Sequence, residues 1–135
     1  AVETLVLELL NIVGARPLFL PPEVHDEIVA GVSHLPYLVA GSLMRTAFAI
    51  GDERAWAVSA SGFRDTARVA GTDPQMMLDI LLTNRLAVLA QLQRFQAEVT
   101  AVTDLLQSGD EVALAAWLAE TQREYREYRT IKDER

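Results

Sequence analysis

At 135 residues the chain has the size of one domain, or of one domain with a remnant of another, and it is long enough to bury a core. A formal charge of −7 argues against a nucleic-acid backbone as partner, because phosphate binding needs a basic patch. The lack of cysteine excludes disulfides, a thiol nucleophile and thiolate metal ligands, and two histidines without ligand spacing argue against a metal site. Half of the residues are hydrophobic, which is high for a small helical monomer and predicts apolar surface covered by another chain or domain. No apolar run reads as long enough to span a bilayer and no signal-peptide pattern occurs, so the expected location is cytoplasmic, without a membrane partner. The chain opens at Ala1 inside an apolar helical pattern, as an excised fragment or a processed protein would.

Residues 2–13, VETLVLELLNIV, read as an amphipathic helix ended by Gly14. The apolar run Leu18-Phe19-Leu20 reads as a short strand near 17–20. A helix followed by a strand is an α/β pattern, so residues 1–20 are expected to be the end of an α/β domain that lacks its sheet here. The alternative is an irregular arm packed on a helical bundle. Pro22 suits the first turn of the next helix, and Glu23, Asp26 and Glu27 sit near its positive end.

From His25 to about Ile50, apolar residues recur three and four apart, as at Ile28, Val32, Leu35 and Val39, which predicts one helix. Pro36 removes a donor inside it, so the helix is expected to kink beside Ser33, His34 and Tyr37. Gly51 ends it. Asp52 is read as the cap of a short helix with Trp56 as a buried anchor.

In FRDTARVA, Arg64 and Arg68 are four apart and share a face, and Asp65 lies three from Arg68. Such an arginine offers a planar fork of donors suited to a carboxylate; the plainer alternative is an Asp65–Arg68 pair on a solvated helix. Asp73-Pro74 is a strong helix start. The helix from Pro74 to about Gln107 would run roughly 50 Å and is apolar nearly all round, which predicts a mostly buried element at the centre of a homodimer. Asp79 and Asn84, its polar exceptions, are read as structural. Gly109 stops it, and Ser108 and Glu111 have capping-box spacing for a last helix striped with Leu114, Trp117, Leu118, Thr121, Tyr125 and Tyr128. No GxGxxG occurs, so the chain carries no dinucleotide fingerprint. The expected fold is all-α, a bundle with one kinked and one long helix.

Two segments resemble a known family. HDEIVAGVSHLPYLVAGSL is similar to the HD…SHLPH segment of prephenate/arogenate dehydrogenases, and ASGFRDTARVAGTDPQMMLDILLTN to their FRD-x-T-R…DP-x-M-W-x-D-I…N segment. The resemblance covers only the family's C-terminal helical domain, and it implies a division into residues 1–20, the end of a nucleotide-binding domain, and 21–135, a substrate-binding domain forming an intertwined homodimer. It implies Arg68 as the substrate-carboxylate arginine with Asp65 orienting it, and His34, Tyr37 and Ser33 as pocket wall. Arg64, Met77 and His25 are further positions within the matching motifs. Here Tyr37 stands where the family has histidine and Met77 where it has tryptophan. Both changes bear on the choice between prephenate and arogenate, and on feedback by tyrosine.

By resemblance, the whole enzyme passes hydride from the substrate to NAD or NADP with loss of carbon dioxide. The family's general base, a histidine, lies in the nucleotide domain, as does the cofactor. No catalytic or cofactor-binding residue is therefore expected in this chain, which alone would be inactive. The reading from another class is a non-catalytic helical dimerisation or tyrosine-sensing module. It explains the apolar helix but leaves both motifs unexplained.

Overall fold

The computed structural model describes residues 2–133. Its described residues form helices joined by short connections, with no strand among them. The chain divides into two compact units, residues 1–89 and 90–135, with the boundary inside one helix.

The first unit opens with α1 (Val2–Ile12), which Gly14 terminates at φ +70, a left-handed conformation that glycine adopts without a Cβ penalty. Residues 15–21 have no regular secondary structure. The expected strand near 17–20 is therefore absent. A strand needs a neighbour for its backbone donors and acceptors, none of the described residues supplies one, and Pro17 and Pro21 lack donors of their own. Leu18 and Phe19 are exposed instead.

Next comes one helical run of three parts: α2 (Pro22–Val29), a π-helical turn (Ala30–His34) and α3 (Leu35–Phe48). Pro22 opens α2 where a missing N–H costs nothing. Pro36 has no N–H to give Val32, and the ladder shifts register just before it. Leu35 N–H bonds the Ala30 carbonyl, five residues back. The predicted distortion thus takes the form of a π turn that carries Ser33 and His34. The run is 27 residues long and contains an 18-residue window of mean hydropathy 1.2, enough by length and composition alone to cross a membrane. This corrects the sequence expectation that no run is long enough. The charged residues cluster at its ends, so its middle reads as apolar once the whole length is one helix.

After Gly51, the Asp52 carboxylate accepts the Arg54 N–H at 2.9 Å and grips the Arg54 guanidinium, opening α4 (Arg54–Val58). Trp56 is 38% exposed, so it is not the buried anchor expected. It sits instead between Phe48 (ring centroids 4.7 Å) and Phe63 (6.0 Å) in a surface aromatic cluster. Then come α5 (Ser61–Ala67), a 3-10 turn (Arg68–Gly71) and α6 (Pro74–Thr83). Asp73 caps α6 as predicted, its carboxylate accepting the Met76 N–H at 2.8 Å, with Pro74 in the first turn.

The core of this unit is small. Ala30, Ala40, Ala67, Met77 and Val88 are buried, along with one polar side chain, His34. Alanines at these points let the π turn, α3 and α5 approach closely, and α3 packs on both α5 and the 3-10 turn. The expected single helix over 74–107 is broken at Asn84 (φ −103, ψ 29), between α6 and α7 (Arg85–Ser108). The burial expected for it at the centre of a homodimer is not supplied within one chain. Among its residues only Met77 and Val88 are buried in the isolated chain, while Leu82 and Leu86 are 61% and 75% exposed.

The second unit holds the rest of α7 and α8 (Glu111–Asp133), joined at Gly109 (φ +66). Asp110, not Ser108, caps α8 by accepting the Ala113 N–H at 2.9 Å; the Ser108 hydroxyl is engaged with Leu105 O. None of its described residues is buried, and Leu118, Tyr125 and Tyr128 are each more than half exposed.

Candidate functional site

Five of the eight sequence-predicted site residues line two hollows of the first unit: Arg64 and Arg68 the first, His25, Ser33 and His34 the second. Spaced one turn apart, Arg64 and Arg68 line the same hollow of about 530 Å³, with Met44, Ser59, Ser61, Phe63 and Gly71. Its walls are mostly apolar and its charge comes from the two guanidinium groups. Asp65 does not orient Arg68 here. Its carboxylate pairs with Arg64 at 3.4 Å, both side chains largely exposed, so the pair contributes little by itself. Arg68 begins the 3-10 turn that follows α5, while Asp65 lies within α5 beside Arg64. Arg68 makes no ion pair with any described residue, which leaves its fork of donors available to an anion.

The second hollow, about 380 Å³, lies between the α2–π run and α6. His25, Asp26, Val29, Ser33, His34, Asp79, Ile80, Thr83 and Asn84 line it. His25 Nδ1 meets the Asp26 carboxylate at 3.1 Å in an exposed contact. Asp79 accepts from Gln75 Nε2 at 3.1 Å along α6. His34 is 9% exposed. Asn84 Nδ2 reaches the Asp26 main-chain carbonyl at 2.8 Å and His34 Nδ1 at 3.4 Å. A carbonyl oxygen only accepts, so the amide nitrogen is the atom that faces both groups. Burial pushes the His34 imidazole below its ordinary value; Asp26 partly opposes this and His25 adds to it.

Of the remaining predicted positions, Tyr37 is half-buried on α3 and lines neither hollow, and Met77 is buried in the core. The sequence reads Asn84 as structural, and in the fold it is the break between α6 and α7. Its long-range bonds, 58 and 50 residues along the chain, had one faint signal: a poor helix former inside an apolar helical run. Among the described residues no group of three or more acidic, histidine or cysteine side chains could hold a metal ion.

Comparison with known proteins gives a consistent picture. A family model described as "Prephenate dehydrogenase, dimerization domain" matches residues 21–120. The cyclohexadienyl dehydrogenase of Zymomonas mobilis is 31% identical over 82% of this chain, which corresponds to 39% of that enzyme. Among solved structures, Synechocystis arogenate dehydrogenase superposes with a TM-score of 0.80 and 26% identity, over 93% of this chain and 47% of that one. The prephenate dehydrogenase of A. aeolicus, solved with hydroxyphenyl propionate and NAD+, gives a TM-score of 0.83 at 29% identity, over 93% of this chain and 45% of that one. The chain therefore spans less than half the length of each of these three relatives.

Proposed function

This chain belongs to the prephenate dehydrogenase dimerization-domain family, and we propose that it works as the C-terminal half of a prephenate or arogenate dehydrogenase of tyrosine biosynthesis. In this reading residues 21–135 bind substrate and form a homodimer, and residues 1–20 are the end of a nucleotide-binding domain. The observation that carries the proposal is the hollow lined by Arg64 and Arg68, with no ion pair on Arg68 among the described residues. Prephenate carries two carboxylates and arogenate one carboxylate plus an amino-acid group, and an unpaired guanidinium answers the carboxylate each shares. The volume suits a metabolite of that size. Ser33 and His34, on the second hollow, then serve as further substrate wall, and Tyr37, which lines neither hollow in the isolated chain, offers a phenol that donates a hydrogen bond but carries no positive charge.

We assign no dinucleotide site to this chain. The sequence holds no glycine-rich phosphate loop, and the described residues include no strand to carry one. NAD or NADP is accordingly assigned to the nucleotide-binding domain, and this chain contributes no step through it. The exposed leucines of α6 and α7 support a dimer interface, as does the absence of any buried residue among the described residues of the second unit. The apolar face of the Pro22–Phe48 run is assigned to protein packing. Its buried His34, bonded to Asn84 of another element, is more at home against protein than against lipid.

The test is a dehydrogenase assay with prephenate and with arogenate, on this chain alone and on the chain joined to a nucleotide-binding domain of the family. Activity only in the joined protein supports the half-enzyme reading, and the better substrate identifies the preference. No activity with either substrate in a folded joined protein overturns it.

A further inference from the structure

Asn84 does more than break a helix. Its side-chain nitrogen has two partners and only donates. One partner, the Asp26 carbonyl at 2.8 Å, fixes the amide's orientation; the other is the ring nitrogen Nδ1 of His34 at 3.4 Å. A nitrogen that receives a hydrogen bond cannot carry a proton, so the neutral ring must carry its proton on Nε2. No described partner occupies Nε2, and no buried side-chain nitrogen or oxygen among the described residues lacks a partner. Nε2 therefore keeps its small remaining access to solvent, on a residue that lines the second hollow.

We propose that Asn84 is a positioning residue that locks His34 as the Nε2–H tautomer, so that the ring offers one N–H donor to an acceptor oxygen of whatever occupies the second hollow. The class of ligand group this admits at that point is a carboxylate, carbonyl or hydroxyl oxygen; an ammonium is rejected there. The other titratable groups around the ring are His25 and Asp26 on α2 and Asp79 on α6, all lining the same hollow. Burial of the ring acts in the same direction as the lock, because both disfavour a second proton on Nδ1. The inference deepens the reading of this hollow as substrate wall. Its test reads the ring without substrate, so its failure would leave the dehydrogenase assay untouched.

The chain has two histidines, so His25→Gln leaves His34 as the single imidazole signal. Long-range nitrogen–proton correlation spectra of 15N-histidine-labelled chain then separate protonated from bare ring nitrogens. Expected at pH 7 is a bare Nδ1 and a protonated Nε2. In Asn84→Asp the donor becomes an acceptor, so the ring proton should move to Nδ1 and the titration midpoint should rise above about 6.5, the ordinary histidine value. In Asn84→Ala the midpoint should rise toward that value. A proton on Nδ1 in the parent overturns the proposal. So does an Asn84→Asp protein with tautomer and midpoint unchanged. Should Asn84→Asp fail to fold, Asn84→Ala decides: a raised midpoint supports the lock and an unmoved one refutes it.

Discussion

Replacing Arg68 by alanine tests the carboxylate site most directly. Arg68 holds no ion pair among the described residues and is exposed at the start of the 3-10 turn, so its loss breaks no internal bond. The fold should be unaffected, and the whole effect should fall on ligand binding. Hydrogen bonds to a charged group contribute about 1.5–3 kcal/mol, and about 1.4 kcal/mol is a factor of ten. Arg68→Ala in the joined enzyme should therefore raise KM by roughly 10- to 100-fold, with little change in unfolding midpoint. Arg68→Lys should recover only part of this, because an ammonium lacks the planar fork. Arg54→Ala serves as control. Its guanidinium is engaged by Asp52 and lines neither hollow, so KM should not move. The assay is steady-state kinetics with each substrate, paired with urea unfolding. An unchanged KM in Arg68→Ala would remove Arg68 from the site and with it the main support for the first hollow.

Other consequences can be checked on the chain itself. Asp73→Ala removes the cap on the Met76 N–H and should lower stability by about 1 kcal/mol in urea titrations; a change near zero would show that water caps α6 equally well. The folded His34 binds its proton more weakly than the unfolded chain, so its contribution to stability is full above about 6.5 and lost as pH falls through the depressed folded value. His34→Gln should flatten the fall in unfolding midpoint between pH 7.5 and 5, and equal slopes in parent and variant would contradict this. Sedimentation equilibrium should find a dimer at micromolar concentration, and Leu86→Asp, at a position 75% exposed in the isolated chain, should shift it toward monomer. A parent chain that sediments as a monomer would refute the interface reading.

Much of the architecture was legible because it is local. Gly14, Gly51 and Gly109 stop helices where their backbones turn left-handed, Asp73-Pro74 starts one, and Pro36 forces the ladder to shift just before it. Each outcome depends on neighbours within about one turn, and sequence spacing records those neighbours directly. The shared wall of Arg64 and Arg68 follows from the same periodicity. Elsewhere, long-range or competing contacts decided. Apolar periodicity runs straight through Asn84, but its amide is drawn out to a carbonyl 58 residues away, and the backbone bends to allow it. Sequence spacing offers Asp65 both Arg64 and Arg68, and in the folded chain its carboxylate meets Arg64. Trp56 reads as an anchor by size alone, yet Phe48 and Phe63 hold it at the surface. The strand near Leu18 fails because a strand is a property of a pair. The sequence by itself thus determined the all-helical class, the helix ends and the family. Tertiary structure alone decided which polar groups meet, because a hydrogen bond between residues 50 or more apart exists only once the chain has brought them together.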